Sequence, residues 1–572
     1  MNGAKSLTGH FLTTILANAP YPAALAVTLF YCIQKQPIPF DASHGYALAI
    51  SLLGVVLVVA AAVVGKRRDS MRFPWRRGNV GRGVAEKTVF TVLACACLFG
   101  AFNYYKFNPA SFTGVNDYMD VTYYYTNSKY FDELGHYDLY SAILIADQEG
   151  PKRLRRIQRF RDLHTYQFTT RKAELTQDRI AEIKGQFTPE RWEEFKADVN
   201  FLTQHYHNWD YLLSDRGYNP PPTWTVVGSI LSRSTSIEKM KLITMVDFIL
   251  IAATFVLIGW AYGMWVVLFA FLWFVSTFSG RWPILGQALL RFDWLAALVM
   301  SVCFLKLCRP VAAGALMAYS AASRVFPAIF FFPVVVAAAA DSLRHRRIGS
   351  DCLRFFVAAA VVGAGLGGTA LIRYGPAACR ESLENLALHS RSFSSHRVGL
   401  GSVLVYRGET TMAEYNAVGG ARAKEKMVQA WMPVLLMIGV AALAFVAAYI
   451  IRTGHPVHEL ILLAAIPLFC VTNAQTNYYN LRLVLVMTHA ADLRLWRNRI
   501  GLIALFLVET ATQYTMLRGT PRYTVTSVAS IGMAAYFSIQ MAFMAYEMLY
   551  PNVSPPEAIG SPDAIRPVAL SA

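Results

Sequence analysis

Long apolar stretches recur along almost the whole chain and are separated by polar segments. A helix that crosses a membrane needs about 20 mostly apolar residues, with a range of about 17–25. Stretches of this kind lie near residues 11–33, 44–65, 86–103, 241–261, 264–279, 293–307, 310–324, 326–342, 352–372, 431–451, 459–473, 479–491, 501–517 and 524–546. Several are short, so the pattern predicts roughly 12–14 spans and an all-α polytopic membrane helix bundle.

The same pattern divides the chain into four parts. Residues 1–103 contain the N-terminal membrane spans, and residues 104–240 form a long stretch that we call the large polar segment. Residues 241–550 form a membrane helix bundle with a polar loop at 374–430. The tail at 551–572 is rich in Pro, Ala and Ser, a composition that predicts disorder.

Two helices are predicted inside the large polar segment. The first covers the aromatic-rich residues 120–134 and ends at Gly135. The second begins at Thr188 and Pro189, a pair typical of an N-cap and a first helical position. Apolar residues then recur at three- and four-residue steps, at Trp192, Phe195, Val199, Leu202 and Tyr206. This amphipathic helix could pack on the membrane domain or lie at the bilayer interface.

Composition supports a chain solvated largely by lipid. Of its 572 residues, 55% are hydrophobic and only 16% are charged, whereas a soluble domain carries about 25% charge. The eight cysteines lie mostly in apolar stretches and show no paired spacing, so neither a disulfide framework nor a zinc site is predicted. His205, His207 and Asp210 have a spacing that suggests a metal, but two histidines two apart on a helix point to different sides. We therefore predict no metal ligands.

The formal net charge of +17 is concentrated in short clusters beside the apolar stretches. The clusters lie at residues 66–68, 344–347 and 494–499, with single residues at Lys306, Arg309 and Arg452. Short cytoplasmic loops of membrane proteins carry an excess of Lys and Arg. This pattern explains the positive charge better than nucleic-acid binding does, so we exclude nucleic acid as a partner.

Counting spans between these clusters predicts the topology. Both chain ends then face the cytoplasm, and four segments face the other side, at about 104–240, 280–292, 374–430 and 474–480. Function is expected in these outer segments because they hold most of the unusual polar residues. The aromatic residues near them are expected to form a membrane-interface belt, at Tyr123, Tyr124, Tyr125, Trp282 and Trp294.

Two carboxylates, Asp117 and Asp120, follow the third predicted span almost at once. Tyr124 lies four positions after Asp120, and then come Gly135 and the pair Leu139-Tyr140. This arrangement resembles the first outer loop of the GT-C class of integral membrane glycosyltransferases. The most similar branch is the bacterial one that depends on polyprenyl-phosphate-mannose.

The resemblance implies a multi-pass enzyme of the bacterial inner membrane that takes a sugar from a polyprenyl-phosphate carrier. The acceptor would be a glycan, a lipid or a protein outside the cytoplasm. It also implies that Asp120 is the catalytic base, with Asp117 as a second acidic candidate. No cofactor is implied beyond the lipid-phosphate donor, and dependence on a divalent metal, the sugar and the acceptor stay open.

The chemistry of such a transfer suggests further candidates. A sugar on a lipid phosphate has a good leaving group, so the demanding step is removal of a proton from the acceptor hydroxyl by a carboxylate. The departing phosphate needs positive or hydrogen-bonding groups. Residues of those types in the outer segments are Arg291, Asp293, Arg324, His389, Arg391, His396, Arg397, Gln475, Asn477 and Tyr478, with Tyr124 beside Asp120.

Each candidate also has a plain structural explanation. Asp120 stands where a helix could begin and could be only an N-cap, and Asp117 could be a turn residue. Arg291 and Asp293 could pair with each other, and Arg324 could extend its charge to the membrane surface. The histidines and arginines at 389–397 could be solvated loop residues.

Two other functions remain open on the sequence. A transporter or a flippase of lipid-linked sugars would need polar residues near the membrane midplane. Asp247, in the predicted span 241–261, is the main such residue. A polysaccharide ligase or polymerase would instead use arginines and histidines of a late outer loop, here 374–430.

Overall fold

Helices dominate the computed structural model, which describes residues 40–65, 80–281, 283–391, 393–472 and 474–550. About four-fifths of the described residues are helical (78%). The predicted first span at 11–33, the basic cluster at 66–68, Trp282 and the tail at 551–572 lie outside the described residues.

Eight helical segments in the described part of the chain are long and apolar enough to cross a membrane. They are Asp41–Val64, Gly83–Tyr104, Ile237–Tyr262, Phe326–His345, Ser350–Ser390, Gly420–Thr453, Trp496–Leu517 and Arg522–Leu549. Each overlaps a stretch that the apolar pattern predicted as a span. The chain is therefore an all-α polytopic membrane protein.

Five further predicted spans correspond to shorter helices. These are Met264–Ser276, Asp293–Lys306, Pro310–Ser323, Val457–Val471 and Arg482–Ala491. A helix of 13 or 14 residues is about 20 Å long, roughly 10 Å less than the hydrocarbon thickness of a bilayer. In the helix Arg482–Ala491, all residues except Ala491 are buried. The prediction of roughly 12–14 spans included these short helices, because helices buried in a protein bundle and helices exposed to lipid are both rich in apolar residues.

The large polar segment folds into short helices around its own hydrophobic core. Its helices are Pro109–Thr113, Tyr118–Val121, Thr122–Thr126, Asn127–Lys129, Phe131–Leu134, Leu139–Glu149, Arg171–Glu174, Gln177–Gly185, Pro189–His205, Trp209–Leu212 and Pro222–Arg233. The strands Arg159–Arg161 and Phe168–Thr170 pair antiparallel. The helices at 118–134 are ended by Gly135, whose φ of +53° is the left-handed region that favours glycine.

The amphipathic helix Pro189–His205 packs inside this segment. Thr188 caps it by accepting a hydrogen bond from the Arg191 backbone N–H at 3.3 Å. Its residues Trp192 and Phe195 are buried in the core of the segment. Of the two placements that the sequence left open, the helix thus packs on protein.

The polar loop at 374–430 is largely helical. The helix Ser350–Arg391 changes direction at Gly375, where φ is +77° and Pro376 follows, so its second half continues into this loop. The remaining short elements are Ile237–Lys239, Ser279–Arg281, Leu400–Val405, Met412–Ala417 and Thr476–Leu481, and a second strand pair joins Arg397–Val398 to Ala474–Gln475.

The predicted orientation can be tested with single cysteines. Cys308 is exposed at the end of the bundle marked by Lys306, and Asp210 is exposed on the large polar segment. In an otherwise cysteine-free protein in intact spheroplasts, a membrane-impermeant maleimide should label D210C at once. It should label Cys308 only after permeabilisation. The opposite pattern would show that the large polar segment faces the cytoplasm.

Candidate active site

Asp120 lies on the short helix Tyr118–Val121, which begins two residues earlier than the sequence predicted. The N-cap is Asp117, so the expectation that Asp120 could be the cap is wrong: the Asp117 carboxylate accepts a hydrogen bond from the Asp120 backbone N–H at 3.2 Å. The backbone N–H of Asp117 donates to the carbonyl oxygen of Gln287 at 2.9 Å. Asp117 thus ties this helix to the turn at 280–292 and leaves the Asp120 carboxylate for other contacts.

A π-helical turn, Thr122–Thr126, follows directly. Such turns are rare and frequent at functional sites. The hydroxyls of Tyr123 and Tyr125 each donate to a backbone carbonyl oxygen of the large polar segment at 2.7 Å. These two residues, Tyr124 and Trp294 are all buried, so the prediction of a membrane-interface belt was wrong for them. They are core residues, and Tyr124 faces two arginines.

Asp120 forms a buried ion pair with Arg291. The Arg291 Nε atom lies 3.2 Å from the Asp120 Oδ2 atom, and both side chains are almost fully buried. Neither atom makes an aligned hydrogen bond with any described residue, and the same is true of one terminal nitrogen of Arg291. The Arg291 guanidinium also lies 4.2 Å from the centre of the Tyr124 ring. The pair therefore retains hydrogen-bonding capacity that a ligand could use.

Asp247 holds the backbone that carries Arg291. Its carboxylate accepts hydrogen bonds from the backbone N–H groups of Arg291 and Phe292, at 2.6 and 3.2 Å. Leu290, just before them, has a φ of +47°, a conformation that L-residues seldom adopt. The carboxylate that the sequence singled out in a predicted span thus has a clear positioning role.

Asp293 is anchored by three donors. Its Oδ2 atom accepts hydrogen bonds from the Trp224 indole at 3.1 Å, the Tyr319 hydroxyl at 2.9 Å and the Ser323 hydroxyl at 2.8 Å. No ion pair joins Asp293 to Arg291 among the described residues, so the suggested pairing of these two residues is not what the structure contains. Asp293 instead links three helices at one end of the bundle.

Arg324 is buried rather than extended to the surface, with only 5% of its area exposed. Its guanidinium donates to the backbone carbonyl oxygens of Ser323 at 2.7 Å and Leu290 at 3.2 Å. It lies 5.7 Å from the centre of the Tyr124 ring and 5.2 Å from the Trp224 ring. Two arginines therefore border one tyrosine ring.

Sequence reasoning missed Trp224, which contacts Asp293, Arg324 and Tyr124. It lies in the first turn of the helix Pro222–Arg233. A Cβ atom at Gly228 would lie 2.8 Å from the indole, so the glycine makes room for it. Pro222 and Trp224 together could have indicated a tryptophan at the start of a helix. They could not have indicated which residues Trp224 contacts, because those residues are remote in sequence.

The later outer candidates meet through the second strand pair. Arg397 pairs with Gln475 in this sheet, and the Thr476 backbone and hydroxyl both donate to the His396 carbonyl oxygen, at 2.8 and 2.7 Å. The following turn carries Asn477, which is buried, and Tyr478. The loop at 374–430 and the turn at 474–480 therefore form one wall of the site.

Tyr478 connects this wall to the Asp120 pair. The centre of its ring lies 5.9 Å from the centre of the Trp294 ring. It is also close enough to influence the pKa values of Arg291, Arg324 and Arg397. The carbonyl oxygen of His389 accepts from the Arg397 guanidinium at 2.9 Å. Arg391 ends the helix that carries His389, and its side chain lies outside the described residues.

Burial raises the pKa of Asp120 to about 7. The Arg291 guanidinium opposes this shift, and the Asp117 carboxylate adds to it. Burial also raises the pKa of Asp117. A carboxyl group whose pKa lies near neutrality can both accept and release a proton under physiological conditions.

A separate cavity opens at the other end of the bundle, beside Lys306, His458 and Arg497. Both carboxylate oxygens of Glu547 lie 2.8 Å from a guanidinium nitrogen of Arg497, so the charge of this arginine is balanced within the protein. Among the described residues, no group of three or more His, Cys, Asp or Glu side chains is placed to hold a metal ion.

Comparison of the chain with protein-family models, with curated proteins and with solved structures finds no match in any of the three. Fold and geometry together thus define an α-helical polytopic membrane protein. A buried carboxylate, two arginines and several aromatic side chains meet at one end of its helix bundle.

The electrostatic influence of Asp117 on Asp120 can be measured. In D117N the asparagine still caps the helix, but the nearby negative charge is gone, so the pKa of Asp120 should fall below about 7. Infrared difference spectroscopy would follow the C=O stretch of the protonated carboxyl against pH. The exposed control D210N should leave the titration unchanged. An unchanged or higher pKa in D117N would contradict the described geometry.

Proposed function

We propose that the protein is an integral membrane glycosyltransferase that moves a sugar from a polyprenyl-phosphate donor to an acceptor hydroxyl. The observation that carries the proposal is the Asp120–Arg291 pair, which is buried yet retains hydrogen-bonding capacity. Charged groups buried within a membrane protein are costly and usually functional. The motif from Asp120 to Tyr140 that resembles the GT-C class supplies the reaction type.

Asp120 acts as the general base. Its Oδ2 atom accepts the proton of the acceptor hydroxyl while the acceptor oxygen forms a bond to the anomeric carbon of the sugar. The bond between that carbon and the phosphate oxygen breaks, and the phosphate leaves with the electron pair. Attack from the face opposite the phosphate inverts the anomeric centre.

Arg291 and Arg324 receive the charge that develops on the leaving phosphate. Both lie against the Tyr124 ring, and Arg291 has two nitrogen atoms without a hydrogen bond to any described residue. Guanidinium groups match the geometry of phosphate oxygens and bind them by charge-assisted hydrogen bonds. In a buried site these interactions are stronger than in water.

The short helices suit a lipid-linked donor. Asp293 begins a helix of 14 residues, and Arg324 caps the end of another helix of 14 residues. Such a helix is about 20 Å long, whereas the hydrocarbon core is roughly 30 Å thick. If one end of the helix reaches one face of the core, the other end therefore lies inside the core. A phosphate on a polyprenyl chain could then reach the arginines while the chain stays in lipid.

Substitution of the base is the direct test of this mechanism. D120N, which keeps the shape of the side chain, should lower sugar transfer from a polyprenyl-phosphate donor by about 10²- to 10⁴-fold. The exposed variant D210N serves as the control and should retain wild-type transfer. If D120N transfers sugar normally while H396Q abolishes transfer, the ligase alternative, with its site in the loop at 374–430, is favoured instead.

The pH dependence follows from the raised pKa of Asp120. A general base must be ionised, so the transfer rate should rise with pH and level off above about 7. The profile is read from the initial rate at saturating donor. A rate that stays constant through neutrality, or that falls as the pH rises, would show that a carboxylate with this pKa is not the base.

A further inference from the structure

A second group of positive side chains lies beside the proposed catalytic pair. It comprises Arg216, Arg397 and Arg522, together with the imidazole of His396, which is uncharged near neutrality, and we call it the outer basic cluster. Arg216 follows the helix Trp209–Leu212, Arg397 lies on a strand, and Arg522 begins the last long helix. Three remote parts of the chain thus contribute to one cluster.

Contacts with a backbone carbonyl oxygen and with a neighbouring imidazole hold two of these side chains in place. The Arg216 guanidinium donates to the Phe393 carbonyl oxygen at 2.8 Å, and a nitrogen of Arg522 lies 3.4 Å from the His396 Nδ1 atom. The buried Nε atom of Arg216 makes no hydrogen bond with any described residue. The cluster is therefore ordered before any ligand arrives, and Arg216 keeps an unused donor.

Positive charge is concentrated here. Burial, followed by the neighbouring Arg216 guanidinium, lowers the pKa of Arg397 to about 10. Burial and the charges of Arg522 and Arg216 lower the pKa of His396 to about 4. Asp215 and Glu425 are the acidic neighbours, and the Glu425 carboxylate already accepts from the Phe393 backbone N–H at 2.9 Å. The three guanidinium groups outnumber these two carboxylates, and a site with an excess of positive charge attracts an anion.

The position of the cluster points to the acceptor rather than to the donor. Asp215, which precedes Arg216 in the chain, raises the pKa of Asp120, so the cluster is near enough for its charges to act on the proposed base. Tyr211, an electrostatic neighbour of Arg522, is 46% exposed. Because Arg216 and Arg522 are also partly exposed, a water-soluble molecule can approach the cluster from this side.

We propose that the outer basic cluster binds an anionic group, a carboxylate or a phosphate, carried by the sugar acceptor. Arg291 and Arg324 would hold the donor phosphate at the same time. This inference rests on the proposed function, because a binding site for the acceptor is needed only if Asp120 takes the proton from an acceptor hydroxyl. The substrate class is thus an acidic acceptor, such as a glycan with uronic acid or phosphate substituents, and the fixed guanidinium groups supply paired donors for such an anion.

The test measures binding without catalysis. The full chain is placed in nanodiscs with saturating undecaprenyl phosphate, so that the donor site is filled, and is titrated calorimetrically with glucuronate, inorganic phosphate or glucose. The wild type should bind glucuronate or phosphate but not glucose, and the stronger of the two anions identifies the acidic group. R216Q should weaken anion binding by about tenfold or more, whereas R216K should retain most of it.

Two further variants make the result decisive. R522Q should weaken anion binding as R216Q does, which covers the case in which R216Q fails to fold. R324Q should weaken the binding of undecaprenyl phosphate and leave anion binding intact. The inference is overturned if glucuronate and phosphate both fail to bind while undecaprenyl phosphate is saturating, or if R216Q and R522Q bind them normally. The proposed function is judged separately, by sugar transfer in D120N.

Discussion

The ion pair between Asp120 and Arg291 is the interaction on which the arrangement of the site depends. Removing two charges from water costs several kcal/mol for each ion, and a single contact at 3.2 Å without aligned hydrogen bonds offsets that cost only in part. The surrounding fold keeps the pair in place, with Asp117 capping the helix of Asp120 and Asp247 holding the backbone of Arg291. Stability is thus given up locally to keep a buried carboxyl group beside a positive charge.

The lengths of the helices explain where this pair can exist. Long helices give the bundle its membrane-spanning dimension, and two helices of only 14 residues place Asp293 and Arg324 at their ends. Asp293 joins two of these short helices to the helix that carries Trp224. The large polar segment then covers the same end, so Asp120 is shielded from water although it lies outside the spans. A reaction between a membrane-bound donor and a water-soluble acceptor requires such a boundary.

Much of the fold could be predicted from hydrophobic periodicity, because apolar runs and amphipathic spacing report burial directly. The cap at Thr188 and the helix end at Gly135 were also predictable, since they depend on local backbone chemistry. The lengths of the spans could not be predicted, because apolar helices inside a bundle and apolar helices in lipid have the same composition. Asp120 was identified by the motif that it forms with Tyr124 and Leu139-Tyr140, and Arg291 and Arg324 were identified by their charge next to apolar stretches.

What the sequence could not supply is which of these residues meet. Asp293 was paired with Arg291 by proximity in sequence, yet its partners are Trp224, Tyr319 and Ser323. Arg216 had no distinguishing pattern, because its significance comes from contact with the loop at 374–430. Contacts between segments separated by a hundred residues or more depend on the tertiary packing of the bundle, which local patterns do not contain.

The most direct measurement is an electron cryomicroscopy structure of the full chain in a nanodisc with a non-hydrolysable polyprenyl-phosphate-sugar analogue. The proposed mechanism predicts that the phosphate lies within about 3 Å of a nitrogen of Arg291 or Arg324. It also predicts that the anomeric carbon faces Asp120 with room for an acceptor hydroxyl between them. A phosphate bound instead in the cavity beside Lys306 and Arg497, at the other end of the bundle, would contradict the account.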